Sequence, residues 1–205
     1  MTPSRQALRA ATSAAHDRVD TAFADFDLTD RASYARFLAA HADVVWALEA
    51  GLPGDRVVDD WEARKRGELL KEDLAFLRQP SPDRHPGESR DPASSSFPLQ
   101  EQRDSGLRRG DGEWDDAAIA GTLYVLEGSR LGGKFLSRRL PASFPRAYLD
   151  TDQRAGAWQQ LLSTIDRLLR SPAALETATA AALATFAAFE RSAVRWRRAE
   201  IGDGQ

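Results

Sequence analysis

The chain has 205 residues, of which 42% are hydrophobic, and this is enough for one domain with a substantial core. It contains no cysteine, which excludes disulfides, thiolate nucleophiles and cysteine-ligated zinc or iron–sulfur sites. The net charge of −3 argues against a nucleic-acid partner, and without a signal-peptide pattern or an apolar run of roughly 20 residues we expect a cytoplasmic protein with no membrane contact.

The first part of the chain carries the apolar spacing of helices. Leu8, Thr12, His16, Val19 and Phe23 recur every three or four positions, which predicts an amphipathic helix that starts near residues 2–4. The same spacing predicts a second helix over 34–48 and a third within 59–77.

Residues 79–112 lack this spacing and contain half of the ten prolines in the chain. Such a composition buries too little surface to offset its ordering entropy, so we predict a disordered insertion within a single domain that covers 1–205. A docking role is the alternative, since Arg103, Arg108 and Arg109 could meet an anionic partner. Asp104 and Asp111 lie close by and dilute that charge.

The segment 121–140 combines helical spacing with interior glycines at Gly121, Gly128, Gly132 and Gly133. Each costs about 1 kcal/mol relative to alanine, so the four together cost roughly 3–4 kcal/mol. Gly121, Gly128 and Gly132 fall within about 40° of one another on a helical wheel. This stripe permits either a flat, bulky ligand against the backbone or close packing of a neighbouring helix, and both interpretations stand at this point.

Two more helices are predicted near the C-terminus, over 158–169 and 173–196. No segment alternates apolar and polar residues in the way a strand does. The expected fold class is therefore all-α.

The chain has three histidines, and their positions differ in meaning. His85 lies in the insertion, and His41 lies near the apolar face of the second helix, where a hydrogen-bonded core histidine is the usual occupant. His16 lies on the apolar face of the first helix, where either a structural role or ligation of a haem iron suits a single imidazole. Arg9 lies about 10 Å earlier on the same face, within reach of a haem propionate, although a surface salt bridge explains it equally well.

Three segments resemble the haem oxygenase family. LRAATSAAHDRVD (8–20) is similar to its proximal helix, and RKRGELLKEDLAFL (64–77) to its third helical region. GTLYVLEGSRLGG (121–133) is similar to its distal helix, in the form found in bacterial members that work with phytochromes. The resemblance spans most of the chain apart from the insertion and the last few residues. It implies a single-domain helical bundle with haem between the proximal helix and the glycine-rich distal helix.

The resemblance also assigns residues. His16 corresponds to the axial ligand of the haem iron, and Arg9 and Tyr124 to partners of the haem propionates. The distal glycines correspond to Gly128, Gly132 and Gly133. Gly128 and Ser129 are the expected catalytic residues, although many members carry aspartate where Ser129 stands. A second departure is that 173–190 contains no lysine or arginine, whereas some relatives place basic propionate contacts on the last helix.

The implied activity is oxidative cleavage of haem b to biliverdin, CO and free iron, with O₂ and electrons from an external reductase or ferredoxin. The implied partners are that electron donor and a bacteriophytochrome that receives biliverdin. Two alternatives stay open. One is a haem carrier or sensor on the same scaffold, and the other is a helical protein for a different small molecule or protein partner, in which the glycines serve packing alone.

Overall fold

In the computed structural model, which describes residues 2–79, 114–151 and 154–202, every regular element is helical. The α-helices in chain order are α1 (Pro3–Ala24), α2 (Arg31–Gly51), α3 (Trp61–Arg64), α4 (Gly67–Arg78), α5 (Asp116–Ser137), α6 (Ala147–Asp150), α7 (Ala157–Leu168) and α8 (Pro172–Gly202). The all-α prediction is confirmed. The predicted insertion, with His85, lies outside the described residues except for Gln79.

Local chemistry explains where several helices begin. Pro3 occupies the first turn of α1, where its missing N–H costs no hydrogen bond. The side chain of Asp30 accepts a hydrogen bond from the backbone N–H of Ser33 at the start of α2, and Asp115 caps α5 through Ala117.

The single helix predicted within 59–77 is two helices, α3 and α4, separated at Lys65 and Arg66. The carboxylate of Glu49, on α2, accepts hydrogen bonds from the backbone N–H groups of Arg66 and Gly67 at 2.7 and 2.9 Å. These two N–H groups lie at the start of α4. Because the Glu49 carboxylate satisfies them, a new helix begins there and α3 does not continue through Lys65 and Arg66.

Helix α8 is the central element, and α1, α2 and α5 pack along it. Residues Pro172–Ala199 are long and apolar enough to cross a membrane by length and composition. Their packing against three other helices is what a core helix of a helical bundle shows, and such helices pass the same test. This span has 28 residues, whereas the sequence pattern indicated no apolar run of roughly 20 residues.

Helices α1 and α5 each pack against both α8 and α7, whereas among the described residues they share at most a marginal contact with each other. We call the space between α1 and α5 the groove, with these two helices as its walls and with α7 and α8, which contact both, as its floor.

Candidate functional site

The α5 wall of the groove is apolar and open to solvent. Five residues share this face, within about 100° on a helical wheel: Tyr124, Gly128, Leu131, Gly132 and Phe135. Leu131 is 58% exposed and Phe135 is 66% exposed, which is unusual for large apolar side chains on a helix of a folded domain. Large exposed apolar side chains next to bare backbone mark a surface that a ligand or a partner covers.

The glycines of α5 divide into two pairs. A Cβ built on Gly121 would overlap the backbone carbonyl of Ala178, and one on Gly133 would lie 3.0 Å from the carbonyl oxygen of Leu149. These two glycines allow α5 to approach α8 and α6 closely, so helix packing explains them. For Gly133 this differs from the expected contact with the ligand.

The other pair, Gly128 and Gly132, faces the groove. A Cβ at Gly128 would make an ordinary contact of 3.8 Å with the Trp158 ring, and one at Gly132 would meet no described residue within 4 Å. Among the described helices none requires glycine at these positions, although each glycine weakens α5 by about 1 kcal/mol relative to alanine. The space that they leave is therefore available to a ligand.

His16 lies on α1 at the rim of the groove, not within the core as its predicted apolar face suggested. Leu8 and Thr12 are buried, but the His16 side chain is 59% exposed. Its ring lies edge-on to Phe186 of α8, with 5.8 Å between the centroids, and its Nδ1 lies 3.1 Å from Oδ2 of Asp20. A carboxylate this close to Nδ1 favours a proton on that nitrogen, which leaves Nε2 as the one that can bind a ligand.

Arg9 and Tyr124 lie on opposite walls, α1 and α5, and influence each other electrostatically. Burial raises the pKa of the Tyr124 phenol, and the positive charge of Arg9 partly opposes that rise. Tyr124 also packs against Trp158 of α7, with ring centroids 5.7 Å apart. Arg9 is therefore near enough to Tyr124 for its charge to act on the phenol.

Ser129 is hydrogen-bonded within the protein. Its hydroxyl donates to the carbonyl of Leu126 at 2.7 Å and accepts from Nη2 of Arg66 at 2.8 Å. A hydroxyl has one proton and two lone pairs, so Ser129 can accept one more hydrogen bond but cannot donate another while it bonds to Leu126. This limits the direct proton-donating role that the sequence suggested for it.

Arg66 is a buried residue that the sequence analysis did not single out. Besides Ser129 it donates to the carbonyl of Leu126 at 3.0 Å, and its Cζ lies 4.7 Å from the ring centroid of Tyr148. It comes from a run of three basic residues at 64–66, a pattern that is typical of an exposed surface. Only the contact with α5, 60 residues further along the chain, reveals its place beside the candidate site.

A buried ionic cluster holds the helix turn that contains Gly128. Glu127 accepts from Nη1 of Arg64 at 3.2 Å and from Nε of Arg130 at 3.0 Å, and Arg64 also donates to Asp60 at 2.6 Å. Charges taken out of water in this way are tolerated only when they are paired and hydrogen-bonded. The cluster therefore fixes the turn of α5 at Gly128 relative to α3.

His41 belongs to the core, not to the groove walls. Its Nδ1 donates to the carbonyl of Phe37 at 2.9 Å, and its ring packs at 4.4 Å against those of Phe23 and Phe37. Burial lowers the pKa of His41 to about 4. Its imidazole is therefore neutral near pH 7.

The chain matches no protein-family model. It is similar to a protein of Xanthomonas campestris pv. campestris (strain 8004) that is named heme oxygenase, with 31% identity over 169 residues. The matched region makes up 78% of this chain and 88% of that protein, so the similarity is not confined to one motif.

Proposed function

Because the chain belongs to the haem oxygenase family, we propose that it cleaves haem oxidatively to biliverdin, CO and free iron. The observation that carries this proposal is the pairing of two unlike walls across one groove. One wall presents His16, and the other presents bare backbone at Gly128 and Gly132 with exposed apolar side chains beside it. A flat macrocycle with a central metal needs both features.

The donor set fits haem. A porphyrin occupies four equatorial positions of its iron, so the protein has to offer only one axial ligand, and Nε2 of His16 suits that role. Asp20 would orient the imidazole by accepting from Nδ1, as carboxylates commonly do for metal-bound histidines. Bound haem supplies the iron that activates O₂ and the ring that is oxidised.

The distal wall would act mainly by shape. Gly128 and Gly132 carry no side chain that could act as a proton donor, and they would leave space beside the face of the ring. Ser129 and Arg66 would be the polar groups nearby. Ser129 could accept a hydrogen bond from a water, while its own hydroxyl proton remains hydrogen-bonded to the carbonyl of Leu126. A wall without a strong acid would suit an enzyme that oxidises the ring itself.

Arg9 and Tyr124 would bind the propionates. Arg9 provides a positive charge and Tyr124 a phenolic donor in the same part of the groove, about two helical turns from His16 along α1. Both remain accessible for this, since Arg9 is exposed and Tyr124 is only partly buried.

The remaining assignments concern partners and location. We expect haem b as substrate and cofactor together, O₂ as co-substrate, and electrons from an external reductase or ferredoxin. A bacteriophytochrome is the proposed recipient of biliverdin, and the cytoplasm is the expected location. The relative named heme oxygenase supports haem as the substrate. The other assignments rest on the sequence resemblance alone.

Absorption spectroscopy tests the proposal. The protein is titrated with ferric haem, the complex is purified, and spectra are recorded after addition of ascorbate or a ferredoxin system in air. We expect loss of the haem bands and appearance of biliverdin absorption, with CO trapped by added myoglobin. A stable reduced haem complex would support the carrier or sensor instead, and absence of haem binding would reject both.

A further inference from the structure

Trp158 closes one side of the groove beside the distal glycine. It is the second residue of α7, and the terminal atom of its six-membered ring, Cη2, is the nearest atom to a Cβ built on Gly128, at 3.8 Å. Its ring also packs against Tyr124, with a tilt of 31° and 5.7 Å between the centroids. An indole from the floor helix thus covers one flank of the backbone that Gly128 exposes.

The other flank carries no such side chain in the described part of the chain. There, nothing lies within 4 Å of a Cβ at Gly132, and the neighbouring Leu131 and Phe135 are mostly exposed. A flat ring that enters the groove can therefore extend along α5 towards Gly132, but the indole blocks it on the side of Trp158. The difference between the two flanks is the indole of Trp158, which is present on one flank and absent on the other.

We infer that Trp158 is a positioning residue that fixes the in-plane seat of haem, and thereby which edge of the ring lies over Gly128. The inference rests on the proposed function. It follows from contact geometry: the indole projects from the first turn of α7, and its ring packs against Tyr124. The carbon that is oxidised is the one nearest the activated oxygen, so the seat of the ring determines the biliverdin isomer.

Smaller side chains at position 158 test this role. Removal of the indole in Trp158→Ala, and its reduction in Trp158→Leu and Trp158→Phe, should allow the ring to move towards α7. Haem affinity should fall by roughly tenfold or less, because one of several contacts is lost. The matched control is Trp196→Phe, which also removes an indole but lies near the end of α8, where its Nε1 donates to Asp43 at 2.6 Å.

The first readout is independent of turnover. Proton NMR of the ferric haem complex resolves the haem methyl resonances, whose shifts report the orientation of the ring relative to the axial histidine. The native protein and Trp196→Phe should share one dominant pattern, and Trp158→Ala should show a second pattern in comparable amount. Trp158→Phe should lie between them. The second readout is the isomer ratio of the bile pigment, separated by chromatography.

The outcomes separate the two proposals. If the native protein binds and cleaves haem while all three Trp158 variants keep its NMR pattern and isomer ratio, the inference is wrong and the proposed function stands. An equal change in Trp196→Phe would also overturn it, because the effect would then follow from a general loss of stability. If the native protein does not bind haem, the proposed function itself fails. Should Trp158→Ala not fold, Trp158→Leu and Trp158→Phe carry the same comparison.

Discussion

Nδ1 of His16 lies 3.1 Å from Oδ2 of Asp20, one helical turn further along α1. Both side chains are mostly exposed, so as a surface ion pair this contact contributes little to stability. Its significance lies in the direction that it gives to the imidazole. A carboxylate at Nδ1 selects the tautomer whose Nε2 lone pair can bind a metal.

Asp20→Asn should leave the fold unchanged and weaken the bond between His16 and iron. An amide accepts a hydrogen bond less strongly than a carboxylate, so the imidazole becomes a poorer donor to the metal. We expect haem affinity to fall by about 10-fold, up to 100-fold, as is typical when such a partner of a ligand is removed. Resonance Raman of the ferrous complex should show a lower iron–histidine stretching frequency.

The control for this change is Asp17→Asn, three residues earlier on α1, where the exposed carboxylate has no described contact with His16. An unchanged iron–histidine frequency in Asp20→Asn would show that Asp20 does not orient the ligand.

His16→Ala should keep the fold and lose the axial ligand. Because the side chain is mostly exposed, its removal should cost about 1 kcal/mol or less in the free energy of unfolding. Haem binding should weaken and biliverdin formation should stop, with partial recovery on addition of imidazole. Turnover and the Soret band are measured beside those of His41→Phe, and loss of turnover in His41→Phe alone would show that the ligand assignment is wrong.

The glycines of α5 should respond to alanine in opposite ways. Gly121→Ala should destabilise the apoprotein by about 1–3 kcal/mol or more, because its methyl group would overlap the backbone of Ala178. Gly128→Ala and Gly132→Ala should leave it unchanged or stabilise it by up to about 1 kcal/mol through higher helix propensity. Thermal unfolding of the three apoproteins measures this contrast.

In the haem complex, Gly128→Ala should slow biliverdin formation, because its methyl group would occupy space beside the ring. Gly121→Ala is the control: its turnover per bound haem should stay normal despite lower stability. If Gly128→Ala destabilises the apoprotein and leaves the chemistry per bound haem unaltered, the distal-wall role of Gly128 fails.

His41 should make the folded state sensitive to pH. Burial lowers its pKa to about 4 from a reference of 6.5, so the unfolded chain takes up a proton at a higher pH than the folded chain does. The stabilisation is fully present above pH 6.5 and is lost as pH falls towards 4. A difference of about 2.5 pKa units corresponds to roughly 3 kcal/mol at most.

Urea unfolding at pH values from 7.5 to 4 measures this effect, with His41→Phe as the comparison, because phenylalanine keeps an aromatic ring among Phe23 and Phe37 but cannot titrate. The difference in unfolding free energy between the two proteins should change by about 2–3 kcal/mol across that range. Parallel curves would show that His41 does not titrate in this window.

Periodicity predicted most of the helices because each long helix buries one face, and that face is written locally in the sequence. The prediction from periodicity was wrong where a residue from another part of the chain bonds to the backbone. The separation of α3 from α4 depends on Glu49, which lies 17 residues before Arg66. Nothing within 59–77 could have indicated it.

The site was predictable in its residue types and less so in its contacts. A helical wheel groups Gly121 with Gly128 and Gly132, but only the approach of Ala178 separates the packing glycine from the two that face the groove. Ser129 presents a similar case, since the hydrogen bond that it accepts comes from Arg66, 63 residues earlier. Asp20 did have a local signal in its spacing of four residues from His16.

The contacts of Gly121 with Ala178 and of Gly133 with Leu149 hold α5 on both sides of Gly128 and Gly132. Between these two points the buried pair of Glu127 and Arg64 ties the same helix to α3. The bare backbone at Gly128 and Gly132 therefore belongs to a restrained stretch of helix, not to a hinge. A rigid macrocycle would meet a surface that is already formed, so little ordering entropy of α5 would be lost when it binds.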